Sequence, residues 1–308
     1  MDHTPKKRHL ILKILVSLAG MLAFVVIVLA SILYIQIHRT NGEVLSSGVK
    51  RTYLLYVPKS YRAGQPIPLV ISIHGYAEWP AHQMEISRWN QAADEHNFIV
   101  VYPSGTGFPL HWRTGGGADT SIEVQFISDL IDQLEKEYTI SPDRIYANGL
   151  SNGGGMSFVL ACKLSERIAA FGGVSGAYLL PWSDCNPGRP VPAIIFHGTQ
   201  DPIVPFGGGP SSMFNYPFPE ITGWVSSLAA KNGCAAQPVK LPAEGEVSGL
   251  QYTHCSQNAE VLFYIVASGG HAWPGGGYLP AVIVGHTTQD IDATQVMWAF
   301  FQQHPLGK

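Results

Sequence analysis

The sequence predicts an α/β fold, a mostly parallel sheet with helices on both faces, preceded by one N-terminal transmembrane helix. Three observations predict it. Short apolar, β-branched runs stopped by glycine alternate with amphipathic segments from about Lys50 to the C-terminus, the order that builds parallel sheets from crossover units. One uncharged run of membrane length stands ahead of them. Several polar residues follow directly on apolar runs, where an open parallel sheet gathers its ligands.

The first element is "ILVSLAGMLAFVVIVLASILYI", Ile14 to Ile35, long enough at roughly 1.5 Å per residue to cross a hydrocarbon core. Lys6, Lys7, Arg8 and Lys13 precede it and Arg39, Lys50 and Arg51 follow, a bias that leaves residues 1–13 in the cytoplasm and the remainder outside. The competing reading is a cleaved signal peptide with a small-residue site near Val28 and Ala30; the run continues past that site, which favours an anchor. Residues 36–47 read as a linker and 48–308 as one catalytic domain.

That domain opens on the alternating stretch "KRTYLLYVP" and continues with "IPLVISIHG" (Ile67 to Gly75) and "FIVVYPSG" (Phe98 to Gly105), strands buried on both faces. "TSIEVQFISDLIDQLEKEY" reads as a helix with a capping box of Thr120 and Glu123 and an inward face of Ile122, Phe126, Ile127, Leu130, Ile131 and Leu134. "DRIYANGLS" is the next strand, and "GGGMSFVLACKLSERIAA" the helix after it. "AAFGGVSG" and "VPAIIFHG" are further strands, Phe218 to Asn232 a helix, and "AEVLFYIVASGG" a strand. "TTQDIDATQVMWAFFQQH" closes the chain as a helix with Ile291, Val296, Met297, Phe300 and Phe301 inward.

Composition excludes some functions. Charged residues are 13% and the formal net charge is −3, so the basic footprint of a nucleic-acid binder is missing, and no internal period marks a solenoid or propeller. Cys162, Cys185, Cys234 and Cys255 suit an exported, oxidising setting, with no C-x-x-C pair to hold zinc. They allow three pairings; closeness along the chain favours Cys162 with Cys185 and Cys234 with Cys255.

Ser151, in "YANGLSNGGGMSF", follows a strand and precedes a helix, so it sits on a sharp turn that exposes its hydroxyl, and Gly149 and Gly153 remove the bulk such a turn cannot hold. A serine nucleophile needs an oriented base. Asp201 in "IIFHGTQDPIVPF" and His271 in "YIVASGGHAWPGG" follow strands that end at the same sheet edge; Asp201 also suits a turn before Pro202. The order serine, aspartate, histidine is that of the α/β-hydrolases. The oxyanion of the tetrahedral intermediate needs amide donors, here Asn152 and Tyr76, with Gly75 as the fallback. His74 and His197 read as partners of nearby backbone groups. Trp89 and Trp112, in loops after strand-like runs, and Trp273 offer aromatic surfaces for an acyl group or a sugar face, or core packing.

The strings "RWNQAADEHNFIVVYP", "DRIYANGLSNGGGMS", "LACKLSERIAAFGGVSG", "RPVPAIIFHGTQDPIVPF", "WVSSLAAKNGC", "GGHAWPGG" and "TTQDIDATQVMWAFF" resemble the polyhydroxybutyrate depolymerase-like and feruloyl esterase-like group of α/β-hydrolases, from about Lys50 to His304. The resemblance implies Ser151 as nucleophile, Asp201 as acid, His271 as base and a disulfide between Cys234 and the cysteine before "AEVLFY". It implies a serine esterase acting outside the cytoplasm without metal or organic cofactor, on feruloyl-type esters of plant cell-wall polysaccharides or on polyhydroxyalkanoates and short polyesters. A peptidase of the same fold and a non-catalytic binding module are the rivals. Two segments depart from the family pattern, "TGFPLHWRTGGGADTSIEV" and the aromatic "PFGGGPSSMFNYPF"; both are expected to border the pocket.

Overall fold

A computed structural model describes residues 4–211 and 213–307. It divides into two compact units, residues 1–39 and 40–308. Within the first, α1 (Thr4–Ile37) is one continuous helix, and its stretch Leu12–Ile37 is long and apolar enough to cross a membrane. The first three residues of the segment expected in the cytoplasm lie outside the described residues.

The second unit is built on a ten-stranded sheet. Its elements are β1 (Gly42–Ser46), β2 (Val49–Tyr56), β3 (Ile67–Ile73), α2 (Pro80–Ser87), α3 (Trp89–His96), β4 (Ile99–Pro103), α4 (Ser121–Glu137), β5 (Ile140–Leu150), α5 (Asn152–Lys163), β6 (Ala170–Val174), β7 (Ala193–Gly198), α6 (Ile221–Lys231), β8 (Val239–Glu244), β9 (Val247–Tyr252), β10 (Val261–Val266), α7 (Ala281–Val284) and α8 (Ala293–Gln303). The order across the sheet is β1-β2-β4-β3-β5-β6-β7-β10-β9-β8. The six central strands run parallel, and antiparallel pairs close both edges.

Alternation along the strands makes two cores. Leu69, Ile71, Ile99, Val101, Ile195 and Phe263 pack on one face with α4, α5 and α6, while Val70, Val100, Tyr102, Ile194 and Phe196 pack on the other with α2, α3 and α8. Both faces of the central strands are therefore dry, which is why they read as continuous apolar runs rather than as alternating ones. Disulfides join Cys162 to Cys185 and Cys234 to Cys255, the pairing that sequence closeness favours.

Four expectations are corrected. The linker over 36–47 contains β1, whose residues pair with β2; its Val44 and Ser46 are buried. The capping box does not form: Thr120 makes no side-chain cap, and the Ser121 amide is taken by Asp119 Oδ1 at 2.9 Å. Glu123 turns inward to meet Arg51 and Arg113, each at 2.9 Å, because two buried or half-buried cations outcompete one free amide for a carboxylate. Ile122 consequently faces solvent, while Phe126, Ile127, Leu130, Ile131 and Leu134 are buried as expected. Finally, the segment around Trp89 is helical, with Trp89 the first residue of α3.

Candidate active site

Ser151 stands between β5 and α5 with φ 56° and ψ −118°, a left-handed backbone that a residue with a side chain adopts only when its surroundings impose it. Here the Ser151 amide donates to the Val174 carbonyl at 2.9 Å, and its own carbonyl accepts from Gly155 and Ala177 at 3.0 and 2.9 Å. The flanking glycines are sterically required. A Cβ on Gly153 would lie 2.0 Å from the Ile73 carbonyl oxygen, and one on Gly149 would lie 2.4 Å from the Gly153 carbonyl carbon. Strand β3, the turn and α5 thus touch backbone to backbone beneath the serine.

Asp201 follows β7 and His271 follows β10, two adjacent parallel strands. Asp201 divides its two oxygens between two jobs. Oδ1 accepts from the Ile203 and Val204 amides, each at 2.8 Å, the turn role that its place before Pro202 suggested. Oδ2 accepts from His271 Nδ1 at 2.8 Å. Burial alone would raise the Asp201 carboxyl, but the charge and hydrogen bond of His271, with help from His197 and the Val204 amide, outweigh it and hold the group below the ordinary carboxylate range. An imidazole held through Nδ1 in this way presents Nε2 as its free, basic nitrogen. Among the described residues the Ser151 hydroxyl has no hydrogen-bond partner, and no hydrogen bond joins it to His271.

Both expected oxyanion donors border the same cavity as Ser151. Neither the Tyr76 nor the Asn152 amide has a partner among the described residues. Gly75 is unsuited to that task, since its amide donates to Glu78 Oε2 at 2.8 Å. His74 has the backbone role expected of it: Nδ1 donates to the Gly75 carbonyl at 2.7 Å and Nε2 accepts from the Gly105 amide at 2.9 Å. His197 likewise donates to the Val204 carbonyl at 2.9 Å.

Burial pushes the His74 imidazole down from the ordinary 6.5 to about 4 and lowers His197 in the same direction. A base with a depressed folded-state pKa is protonated first in the unfolded chain. As pH falls from about 6.5 to about 4, the unfolded state gains protons that the folded state refuses, so stability is lost across that window. For His74 the loss approaches about 3 kcal/mol at the acid end. Urea unfolding midpoints measured from pH 7 to 4 are expected to fall steadily; a flat midpoint would mean that His74 is not held neutral.

The cavity over Ser151 has a volume of about 200 Å³. Much of its wall comes from the two segments that depart from the family pattern: His111, Trp112 and Arg113 from the first, Phe214, Tyr216 and Phe218 from the second. Trp112 borders this cavity but is itself 2% exposed, its ring stacked on Phe126 in the core and its indole donating to the His74 carbonyl at 3.1 Å. The other two tryptophans do not border it. Trp89 is fully buried against Phe301 and donates to Asn148 Oδ1 at 3.0 Å, and Trp273 is buried with its indole on Thr294 Oγ1 at 2.9 Å. Both belong to the core under α2, α3 and α8, because their ring nitrogens find buried acceptors there.

A further residue was only half legible. The Asn152 side chain accepts from the Trp112 amide at 2.7 Å and donates to the Trp112 carbonyl at 3.0 Å, pinning the cavity wall beside Ser151. The signal was present in "LSN", but a contact 40 residues apart has no local signature.

The family model described as Esterase PHB depolymerase matches residues 51–181. The bifunctional acetylxylan esterase/xylanase XynS20E of Neocallimastix patriciarum is 33% identical over 176 residues, covering 57% of this chain and 25% of that protein. Feruloyl esterase B of Piromyces equi is 28% identical over 232 residues, covering 72% and 42%. This chain therefore spans a quarter and about two fifths of those two relatives. "Probable feruloyl esterase C" of Aspergillus flavus is 30% identical over 230 residues, covering 72% of this chain and 76% of that protein. The solved acetyl xylan esterase from Aspergillus awamori superposes with a TM-score of 0.57 at 15% identity over 84% of this chain and 98% of that one, a likeness of fold.

Proposed function

From its place in the polyhydroxybutyrate depolymerase-like and feruloyl esterase-like family of α/β-hydrolases, to which this chain belongs, we propose that it is a serine carboxylic-ester hydrolase acting outside the cytoplasm. Ser151 attacks the ester carbonyl, and His271 takes its proton through Nε2 and returns it to the leaving alcohol. Asp201 orients His271 and stabilises the imidazolium. The amides of Tyr76 and Asn152 receive the oxyanion. Water then releases the acyl group by the same path. The observation that carries this reading is Ser151 on its imposed left-handed turn, facing a cavity bordered by two uncommitted amides.

Feruloyl-type esters of plant cell-wall polysaccharides are the preferred substrates. This is supported by the feruloyl esterase relatives and by the aromatic wall of Tyr76, Phe214 and Tyr216. Polyhydroxyalkanoate or short polyester cleavage is the second reading, supported by the matched family model. The apolar stretch of α1 and the two disulfides support a membrane-anchored protein with an exported catalytic unit, released if the helix is cleaved.

A chain lacking residues 1–36 is expected to be soluble and to hydrolyse methyl ferulate faster than hydroxybutyrate oligomers, relative to p-nitrophenyl acetate as a common reference. Faster cleavage of the oligomers would move the substrate to the polyester class. No cleavage of any ester by a folded protein would favour a binding module.

A further inference from the structure

The cavity wall carries a charge that ester hydrolysis as such does not call for. Among the described residues lining the cavity, Arg113 is the single side chain with a formal charge at neutral pH; the others are apolar, aromatic, hydroxyl, amide or histidine. Arg113 shares its ion-pair partner. Glu123 is fully buried and receives Arg51 at 2.9 Å on one oxygen and Arg113 Nη1 at 2.9 Å on the other.

Within this ion-paired trio, two guanidinium groups face one carboxylate, a charge of about +1. Arg51 is the buried member, with its guanidinium 3.9 Å from the centre of the Phe126 ring. It holds Glu123 Oε2, while Oε1 takes Arg113 Nη1 and, at 3.5 Å, the Thr106 hydroxyl. Of the two, Arg113 is the member that reaches the cavity: its side chain is 38% exposed and its remaining guanidinium nitrogens have no partner among the described residues. The neighbouring acid, Asp119, feels the Arg113 charge but makes no ion pair with it among the described residues, does not line the cavity, and turns its oxygens to the amide and hydroxyl of Ser121 at 2.9 and 3.0 Å.

The position of Arg113 is also held. It lies between Trp112, clamped through its backbone by the Asn152 side chain, and Thr114, whose hydroxyl accepts from Asn152 Nδ2 at 3.3 Å. The residue next to the proposed nucleophile thus fixes the strip that carries the cation. A guanidinium held at one end and free at the other presents a planar donor fork of the geometry that carboxylates accept. The low-polarity aromatic wall beside it strengthens such a contact by limiting water.

We propose that this cavity selects esters carrying a carboxylate, on the acyl or on the alcohol part, and that Arg113 is the residue that reads it. The inference rests on the esterase reading of the Ser151 site and names the substrate class within it.

The test uses the full chain in detergent micelles and two matched substrate pairs. One pair places the anion on the acyl part (mono-p-nitrophenyl succinate against p-nitrophenyl butyrate), the other on the alcohol part (para-acetoxybenzoate against phenyl acetate). The ratio of kcat/KM within each pair is corrected for the uncatalysed rates. The wild-type chain is expected to favour the anionic member of at least one pair by roughly tenfold, the scale of one charge-assisted contact, and added salt should reduce that ratio. Arg113→Gln should bring the ratio close to one, and Arg113→Lys, which keeps the charge but loses the fork, should fall between. Equal or faster cleavage of the neutral member in both pairs, or a preference that survives Arg113→Gln, overturns the inference while leaving the esterase reading in place. Cleavage of none of the four overturns the esterase reading itself.

Discussion

Replacing Ser151 with alanine is expected to lower kcat for ester hydrolysis on the order of 10⁴-fold or more, with the fold retained. Loss of a serine nucleophile removes the covalent path, and what survives comes from the oxyanion donors and substrate binding alone. The substitution deletes one oxygen from a side chain that makes no hydrogen bond among the described residues and keeps the Cβ that the turn already accommodates at φ 56°. Stability should therefore change little. The measurement is the turnover of p-nitrophenyl acetate by the purified variant beside the wild type, with urea midpoints as the control for folding. Turnover within tenfold of wild type would remove Ser151 from the mechanism and with it the acyl-enzyme.

Gly153→Ala is expected to have the largest effect on folding. The added methyl would lie 2.0 Å from the Ile73 carbonyl oxygen, 2.6 Å from its carbon and 2.7 Å from the His74 carbonyl oxygen. These are backbone atoms of a central strand, with β4 and β5 paired on its two sides, so no side chain can rotate away to relieve the clash. Overpacking usually costs about 1–3 kcal/mol where neighbours can shift; with rigid backbone on one side the loss should reach or exceed about 3 kcal/mol. The displaced strand also leads into the Tyr76 turn, so activity should fall in whatever fraction folds. Gly207→Ala is the control: nothing lies within 4 Å of a Cβ there, and its effect should stay within about 1 kcal/mol. Equal urea midpoints for the two variants would mean that the contact of α5 with β3 is looser than the geometry requires.

The two substitutions separate what Ser151 does from what holds it, and the same division separates what could be read in advance from what could not. The runs around Leu69, Val100 and Ile195 are apolar at every position because both faces of the central sheet are covered, and that continuity is visible without knowing what covers them. Gly149, Ser151 and Gly153 are legible for a similar reason, since the turn constrains residues within two positions of one another.

Glu123 shows the limit. Its spacing from Thr120 is that of a capping box, yet Arg51, 72 positions away, draws it into the core. Trp89 and Trp273 illustrate the same limit from the apolar side, since each looked available for substrate until Asn148 and Thr294 supplied buried acceptors for their ring nitrogens. No residue of β8 is buried and β9 mixes buried and exposed positions, and β1 is short with alternating exposure; strands at or beside a sheet edge bury one face or less and so leave a weak pattern.

By itself the sequence determined the alternation of strands and helices, the apolar N-terminal helix, the elbow at Ser151 and the chain order of Ser151, Asp201 and His271, all of which depend on neighbours along the chain or on order alone. Only the tertiary structure decided which tryptophan borders the cavity, that Asp201 divides its oxygens between a turn and His271, and that Arg51 and Arg113 share one carboxylate. The physical reason is that a side chain's hydrogen-bond partner and its burial depend on which distant elements pack beside it, and local spacing carries no record of them.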